Sequence, residues 1–453
     1  MLANSGDTSG MPEPEELKEA TSPSTAAPTS RAERISSIDA VRGFALLGIL
    51  LMNIVPMGLN GAAYDDPTVT GGGTGANLAI WFVLHVLAEG KMRCLFSLIF
   101  GVSVMLFTAR LDERRDGADL YFRRSFWMMA FGIVHAYLLW VGEVLYPYAL
   151  CSLLLYPFRH LPAKRLILVA GLFIAGGAVS SVIEGFSQRE MLRDGRAAVA
   201  AAQAGRKLTE AEQDAKRAYE DHLKEARPDA AALKKDAEEW QGNPLTVIQA
   251  RAKIAYQFHR EPYYFGWDVW SMMFLGMALY RLGLFQASPG TLLKVLLAGY
   301  GIGIPLNAYT GFLIMNSNFD PVMHSWAGST YDVGRLSVAL GHLSLVVLLW
   351  RNQWLSPALK ALAAVGQTAF SNYLLHSVLT AFIFTGYGFK LYGKLQRIEL
   401  YWVVAAMWVI SLIVSPIWLR HYRFGPMEWC WRSLTYWKKQ PMRLAAKLEI
   451  QGG

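Results

Sequence analysis

The sequence predicts an all-α fold, a polytopic bundle of membrane-spanning helices. Of the 453 residues, 53% are hydrophobic and 17% are charged, whereas charged residues make up about a quarter of a soluble protein. Apolar runs of about 20 residues, long enough to cross ~30 Å of hydrocarbon, recur along the chain. Short loops rich in Lys and Arg separate these runs. Together these observations exclude a soluble enzyme, a disordered protein and a disulfide-rich secreted scaffold.

The first 33 residues form a polar segment. They are rich in Ser, Thr, Pro, Ala and Glu, and such a segment buries too little apolar surface to fold. It also lacks the basic start and apolar core of a signal peptide. We predict a disordered cytoplasmic tail over 1–33. A helix start follows, in which Ser36 and Asp39 have the spacing of a capping box.

Ten apolar runs form two groups of five around a charged block. A first membrane half is predicted over 34–184 and a second over 263–420. The ten predicted spans are 40–59, 92–109, 125–145, 146–159, 164–184, 266–284, 291–315, 333–350, 361–385 and 399–419. The stretch 77–90 is too short and too polar at its end for a further span, so we predict a helix lying along the outer surface.

The basic residues predict the orientation. With both termini inside, the short inner loops carry many Lys and Arg, and the outer loop 60–90 contains none. This asymmetry follows the positive-inside rule, and it makes 421–453 a basic cytoplasmic tail. One loop disagrees, because Lys390, Lys394 and Arg397 fall on the outer side. The net charge of +8 is therefore expected to meet anionic membrane lipid, and no nucleic acid is expected as a partner.

The block 185–262 has a different composition from the two halves that flank it. Between Arg189 and Glu239 it contains eleven Lys and Arg and twelve Asp and Glu, with Ala filling the gaps. Thr209 and Glu212 have capping-box spacing before a helical run. We predict a charged helical hairpin on the extracytoplasmic side. It is either a solvated insertion without chemistry or a lid or dimer contact.

Polar side chains within the spans are the first candidates for function, because charges are costly inside a bilayer. Asp39 and Arg42 lie three residues apart on one helical face. They either form an interfacial ion pair, or Arg42 binds an anionic group at the cytoplasmic mouth. Asn53 is either an interhelical hydrogen-bonding residue or part of a site.

Three further candidates lie at the outer side or in mid-span. Lys91 is either an anchor that snorkels to the interface or a clamp for a substrate oxygen. His135 is either a general base or a satisfied core residue. Glu143 follows His135 by eight residues, which in a regular helix is a rise of about 12 Å along the axis and a rotation of about 80°. The two side chains therefore act at different depths, unless the chain bends near Gly142.

The remaining polar candidates of the second half are three histidines and one amide, His324, His342, His376 and Asn372. His376 follows Asn372 by four residues, so both face one side of a helix. They line the same cavity as His135 or pair with each other. No metal-ligand spacing occurs, so no metal is expected. Three scattered cysteines, Cys94, Cys151 and Cys430, are too few for a disulfide framework or a zinc site.

Five runs occur in order between residues 37 and 436: SIDAVRGFALLGILLMN, EGKMRCLFSLIFGVSVML, RRSFWMMAFGIVHAYLLWVGEVL, FSNYLLHS and FGPMEWCWRSLTY. Together they resemble the YeiB-like family of bacterial integral membrane proteins, domain of unknown function 418. That family is similar to the transmembrane acyltransferases, which carry acyl groups from cytoplasmic acyl-CoA to acceptors across the membrane. The similarity rests on the pattern of Asp39, Arg42, Gly43 and Asn53 in the first span.

The resemblance implies a location, a co-substrate and a homodimer. The location is the bacterial inner membrane with both termini cytoplasmic, and the co-substrate is coenzyme A or acyl-CoA. In heparan-α-glucosaminide N-acetyltransferase, the Asn of this pattern precedes a catalytic His by eleven residues. Here that position is Tyr64, and His85 and His135 are the candidate replacements.

We therefore expect transfer of an acyl group from cytoplasmic acyl-CoA to a small-molecule acceptor reached from outside. His135 would take the acceptor's proton, and Asn53 with Lys91 would stabilise the oxyanion. Glu143 would orient the acceptor. The residues expected at the substrates are Asp39, Arg42, His85, Asn372 and His376.

The catalytic candidates Asn53, Lys91, His135 and Glu143 are expected to converge on one water-accessible cavity. Two other functions stay open at this point. A helical bundle with ionisable groups at staggered depths is also typical of a proton-linked transporter of a small organic solute. A non-catalytic membrane sensor or scaffold is the third interpretation.

Overall fold

The computed structural model describes residues 36–112, 116–260 and 266–444. These residues belong to one compact unit, Ile35–Gly453. They contain helices joined by turns and loops, with a single isolated bridge between Tyr422 and Arg443. The all-α prediction is confirmed. The predicted disordered tail 1–33 lies outside the described residues, as does the end of the basic tail.

Seventeen α-helices occur in the described residues, and we number them in chain order. The first six are α1 Ser36–Gly58, α2 Gly75–Leu87, α3 Lys91–Thr108, α4 Gly117–Leu138, α5 Leu145–Leu155 and α6 Ala163–Gln203. The next five are α7 Glu210–Ala226, α8 Ala230–Gln241, α9 Pro244–Arg260, α10 Ser271–Arg281 and α11 Pro289–Asn316. The last six are α12 Pro321–Gly328, α13 Tyr331–Arg351, α14 Ser356–Gln367, α15 Ala369–Phe384, α16 Arg397–His421 and α17 Pro426–Tyr436.

The lengths and compositions of these helices are those of a multi-pass membrane protein. Among the described residues, six helical stretches are long and apolar enough to cross a membrane: 37–58, 75–108, 163–203, 289–316, 331–351 and 397–421. The other predicted spans are shorter or interrupted. The predicted span 125–145 stops at Leu138, and 361–385 is divided into α14 and α15 at Thr368.

Helix α1 lies at the centre of the bundle. It packs against α3, α13, α14, α15 and α16, and most of its side chains are buried. The approach to α14 is close enough that a Cβ added at Gly366 would overlap the carbonyl oxygen of Asp39. We call the end of the bundle where α1 begins the inner end, and the end where it finishes the outer end.

Helix α2 is part of the bundle, which corrects the prediction that 77–90 lies along the outer surface. It packs against α11 and α16, and Trp81, Leu84 and Val86 are buried. Together with α3 it belongs to the stretch 75–108, which is long and apolar enough to cross a membrane. Three residues, 88–90, turn the chain between the two helices.

The charged block is helical, but it is more than a hairpin. Helix α6 continues without a break across the predicted boundary at 184–185, because the Ala-rich residues up to Gln203 favour helix. Helices α7, α8 and α9 follow. The predicted capping box at the start of α7 is confirmed, since Thr209 and Glu212 each bond the other's backbone N–H.

Candidate functional site

A cavity of about 130 Å³ lies at the outer end of the bundle. Charged, polar and aromatic side chains line it together, which is unusual inside an apolar bundle. Its lining residues with hydrogen-bonding groups or aromatic rings are Tyr64, Asp65, Trp81, His85, Glu89, Asn307, Thr310, His324, Thr330, Tyr331 and Arg397. We call this space the outer cavity.

Besides Met52 of α1 and Glu89 of the turn after α2, five parts of the chain that are distant in sequence form the outer cavity. The segment 59–74 after α1 contributes Tyr64 and Asp65, and α2 contributes Trp81 and His85. The other walls come from α11, from the region of α12 and the start of α13, and from the first residue of α16. Asp65 is exposed at this site, yet the surrounding protein raises the pKa of its carboxyl group by desolvation.

His85 is held from two sides within the outer cavity. Its ring stacks on Trp81 with centroids 5.1 Å apart, and its Nε2 lies 3.4 Å from the hydroxyl of Thr310. These contacts come from its own helix and from α11. A neutral imidazole in this position has one nitrogen that can accept a proton. His85 of α2 and His324 of α12 are the two histidines that line the cavity, and His85 is the one that contacts both α2 and α11.

The turn Glu89–Gly90–Lys91 supports the end of α2. Lys91 is fully buried, and its Nζ donates a hydrogen bond to the carbonyl of His85 at 2.5 Å. The Glu89 carboxylate lies 4.0 Å from Lys91 Nζ and accepts a hydrogen bond of 2.9 Å from the Tyr331 hydroxyl. The ammonium group of Lys91 therefore bonds the backbone of His85 in the last turn of α2, at the negative end of that helix's dipole.

Gly90 is required for this turn. Its φ of +67° is in the left-handed region, and an added Cβ would overlap the Tyr331 hydroxyl. Gly90→Ala should lower stability, because the conformation costs about 1–2 kcal/mol and the overlap adds about 1–3 kcal/mol. Gly71→Ala is the matched control, with φ of +75° but open space around the added Cβ. Equal losses of thermal stability in the two purified variants would show that the Tyr331 contact is unimportant.

A network of charges around the buried side chain of Arg335 lies next to the outer cavity. Arg93 Nη2 is 2.6 Å from Asp268 Oδ2, and Arg335 pairs with the other oxygen of Asp268. Arg335 also pairs with Asp332 at 2.5 Å, and its side chain is fully buried. The network joins α3, the turn before α10 and the start of α13. It therefore connects three walls of the outer half of the bundle.

His135 and Glu143 lie outside the outer cavity and close to each other. Helix α4 ends at Leu138 and the chain bends back, so that His135 Nδ1 is 3.8 Å from Glu143 Oε1. His135 Nε2 is 2.9 Å from the Ser377 hydroxyl of α15. The Glu143 carboxylate accepts hydrogen bonds from the backbone N–H groups of Leu145 and Tyr146 at the start of α5. Both side chains are buried and join α4, α5 and α15.

The predicted convergence of four catalytic candidates on one cavity is wrong. Lys91 bonds the backbone below the outer cavity, and His135 and Glu143 form contacts elsewhere. Asn53 is half-buried on α1 and does not line the cavity. Of the predicted site residues, His85 lines it. The physical reasons are the position of His135 on the face of α4 that contacts α15, and the early end of α4, which brings Glu143 back to His135.

Asn372 and His376 do not pair with each other. The Asn372 amide donates to the Ser415 hydroxyl at 2.9 Å, and His376 Nε2 is 2.9 Å from the Ser411 hydroxyl. Both serines lie on α16, four residues apart. These two contacts form a polar seam between α15 and α16, away from the outer cavity.

The predicted pair at the inner end of α1 is present. Arg42 Nη1 is 2.6 Å from Asp39 Oδ1, and Arg42 also donates to the Ser103 hydroxyl at 3.1 Å and to the Gly366 carbonyl at 3.3 Å. The side chain of Arg42 is 24% exposed. Arg42 thus ties α1 to α3 and α14 and still reaches solvent.

Sequence reasoning missed several residues of the outer cavity. Asp65 lies in the loop after α1, where sequence patterns do not distinguish a functional carboxylate from a solvated one. His324, one of the histidines that the sequence puts forward, lies on α12 and lines the cavity. The sequence did mark Arg397 as unusual, because it belongs to the one predicted outer loop whose basic residues contradict the positive-inside rule. It is almost fully buried and donates to the Ala63 carbonyl, while its Nε has no hydrogen-bond partner among the described residues. Within the described ranges, no group of three or more His, Cys, Asp or Glu side chains is placed to hold a metal ion.

Comparisons with known proteins give one family and several relatives. A family model described as "Protein of unknown function (DUF418)" matches residues 279–438. The chain is 27% identical to the uncharacterized protein YxaH of Bacillus subtilis over 93% of its own length and 99% of YxaH. It is 28% identical to the uncharacterized protein YeiB of Escherichia coli over 89% of its length and 96% of YeiB. No solved structure matches.

Proposed function

Because this chain belongs to the YeiB-like DUF418 family of membrane proteins, we propose that it transfers an acyl group from acyl-CoA to a small acceptor bound in the outer cavity. The observation that carries the proposal is the placing of His85 and Arg397 in one cavity. A base and an adjacent cation are the two groups that acyl transfer needs. The cavity also contains Tyr64, the position that the resemblance matches to a catalytic histidine.

The proposed step uses His85 as general base. The imidazole takes the proton of an acceptor hydroxyl, and the hydroxyl oxygen attacks the thioester carbonyl carbon. The C–O bond forms, the C–S bond breaks, and the CoA thiolate leaves with the proton that His85 returns. Arg397 would stabilise the oxyanion of the tetrahedral intermediate, since its guanidinium is buried and has an unpartnered Nε among the described residues.

The thioester is proposed to enter from the inner end, which we place in the cytoplasm of a bacterial cell. Arg42 is the partly exposed cation on α1 at that end, and it would bind a phosphate of coenzyme A. The Asp39 pair and the Ser103 hydroxyl would hold Arg42 in position for that contact. The homodimer and the inner-membrane location remain predictions with this function.

Binding of acetyl-CoA to the purified protein in lipid nanodiscs tests this proposal. We expect saturable binding by calorimetry and slow release of the CoA thiol when acceptor alcohols are supplied. Arg42→Gln should weaken binding about tenfold, since a charge-assisted hydrogen bond is lost. Arg165→Gln is the matched control, because Arg165 is an exposed residue of a predicted inner loop.

Two outcomes would contradict acyl transfer. One is the absence of acetyl-CoA binding at millimolar ligand. The other is proton-coupled flux of a small organic solute in proteoliposomes without release of CoA thiol, which would favour a transporter. In that case the outer cavity would be a transport site, and His85 would carry a proton rather than act as a catalytic base.

A further inference from the structure

We infer that Arg227 is a positioning residue that holds two walls of the outer cavity together, through an ion pair to one and a hydrogen bond to the other. Its Nε lies 3.0 Å from Asp66 Oδ2, and its Nη2 donates to the carbonyl of Asn318. Arg227 caps the end of α7, so this contact comes from the charged block. The inference does not depend on acyl transfer, because it concerns access to the cavity rather than the reaction in it.

The first wall is the segment that follows α1. Asp66 comes directly after the cavity residues Tyr64 and Asp65, and its side chain is only 8% exposed. Its Oδ1 accepts a hydrogen bond of 2.9 Å from the backbone N–H of Thr68. One carboxylate oxygen therefore shapes the turn at 67–70, and the other holds Arg227. Movement of this pair would move Tyr64 and Asp65 with it.

The second wall is the turn between α11 and α12. Asn318 and Phe319 have φ values of +55° and +58°, a conformation that L-residues seldom adopt. Phe319 is buried and meets Trp81 edge to face with centroids 5.0 Å apart. Trp81 in turn stacks on His85. Arg227 therefore holds the turn that places the aromatic support of His85.

The rest of the block is fixed independently of Arg227. Asp236 of α8 accepts hydrogen bonds from Asn60 at 2.7 Å and from the Tyr392 hydroxyl at 2.8 Å. Arg251 of α9 is buried and donates to the carbonyl of Leu138 at 2.6 Å. These anchors keep α8 and α9 on the outer end of the bundle. Loss of Arg227 should therefore loosen the cavity walls while the block stays docked.

An exposed ion pair contributes little to stability, and Arg227 is 44% exposed. Its effect is expected in the cavity because its partners are a buried carboxylate and a turn held in the left-handed region. The two partners are separated by about 250 residues of sequence and belong to different segments beside the outer cavity. Arg227 therefore restrains local opening more than it stabilises the whole fold.

A thiol placed in the cavity tests this inference. Thr330→Cys, in a Cys430→Ser background, provides a reporter on the cavity wall, while Cys94 and Cys151 are buried. Labelling of the thiol at position 330 by a membrane-impermeant maleimide should become at least about fivefold faster with Arg227→Gln, because the two walls of the outer cavity separate more often. Arg217→Gln is the matched control. Arg217 lies on the same helix and pairs with Asp214 on the exposed face.

Asp66→Asn should accelerate labelling to a similar extent, and adding it to Arg227→Gln should bring little more, since both remove one contact. Labelling of the Arg227 variant at the parent rate would overturn the inference. So would equal acceleration by Arg217→Gln. If the Arg227→Gln protein exposes Cys94 and Cys151 as well, the contact supports the whole fold, and that result also overturns it. Failure of acetyl-CoA binding leaves this test unaffected.

Discussion

His85→Gln should reduce acyl transfer by about 10²–10⁴-fold, the usual contribution of a positioned general base. Gln keeps a hydrogen-bonding group near Thr310 and fits beside Trp81, but it cannot take a proton at neutral pH. The loss should therefore appear in kcat for release of the CoA thiol. Acetyl-CoA affinity should change little, because Arg42 and the inner end are untouched.

The matched control is His160→Gln at the exposed side of a short turn, where the ring lies 3.6 Å from Asp112. It should keep the parent rate. His135→Gln tests which of the two candidate bases, His85 or His135, acts in the reaction. A rate loss confined to His135→Gln, with His85→Gln at the parent rate, would contradict the assignment of the base to the outer cavity.

Arg335→Met should destabilise the protein by about 3–5 kcal/mol, the cost of removing one partner of a buried ion pair. Arg335 pairs with both Asp268 and Asp332. Asp268 would keep Arg93, but Asp332, whose side chain is 13% exposed, would lose its ion pair with Arg335. Thermal unfolding in detergent, followed by the appearance of the Cys94 and Cys151 thiols, measures the loss.

A second substitution shows whether the network is the cause. Asp332→Asn in the Arg335→Met background should restore part of the stability, because the unpaired carboxylate is then neutral. Arg193→Met removes an exposed pair in the charged block and should leave the unfolding temperature unchanged. Equal decreases in unfolding temperature for Arg335→Met and Arg193→Met would show that the buried ion pairs of Arg335 stabilise the protein no more than an exposed pair does.

Local sequence patterns were enough for the features that neighbouring residues decide. The Asp39–Arg42 pair and the Thr209–Glu212 capping box involve residues three positions apart, so helical geometry brings them together in any tertiary fold. The same patterns left two alternatives open for His135 and Glu143, and the tertiary structure decides between them. Helix α4 ends at Leu138 and the chain bends, as the sequence allowed near Gly142, so that Glu143 lies beside His135, which a regular helix would prevent.

The amino-acid order alone determined that this is an all-helical membrane protein with a charged block between two apolar halves. Apolar length and charge distribution are sufficient for that, because the bilayer excludes unpaired backbone groups. Only the tertiary structure decided which polar residues share a space. Tyr64, His85, His324 and Arg397 meet because α2 packs into the bundle beside α11 and α16. Periodicity shows that a face is buried, but it does not show which distant segment lies against it.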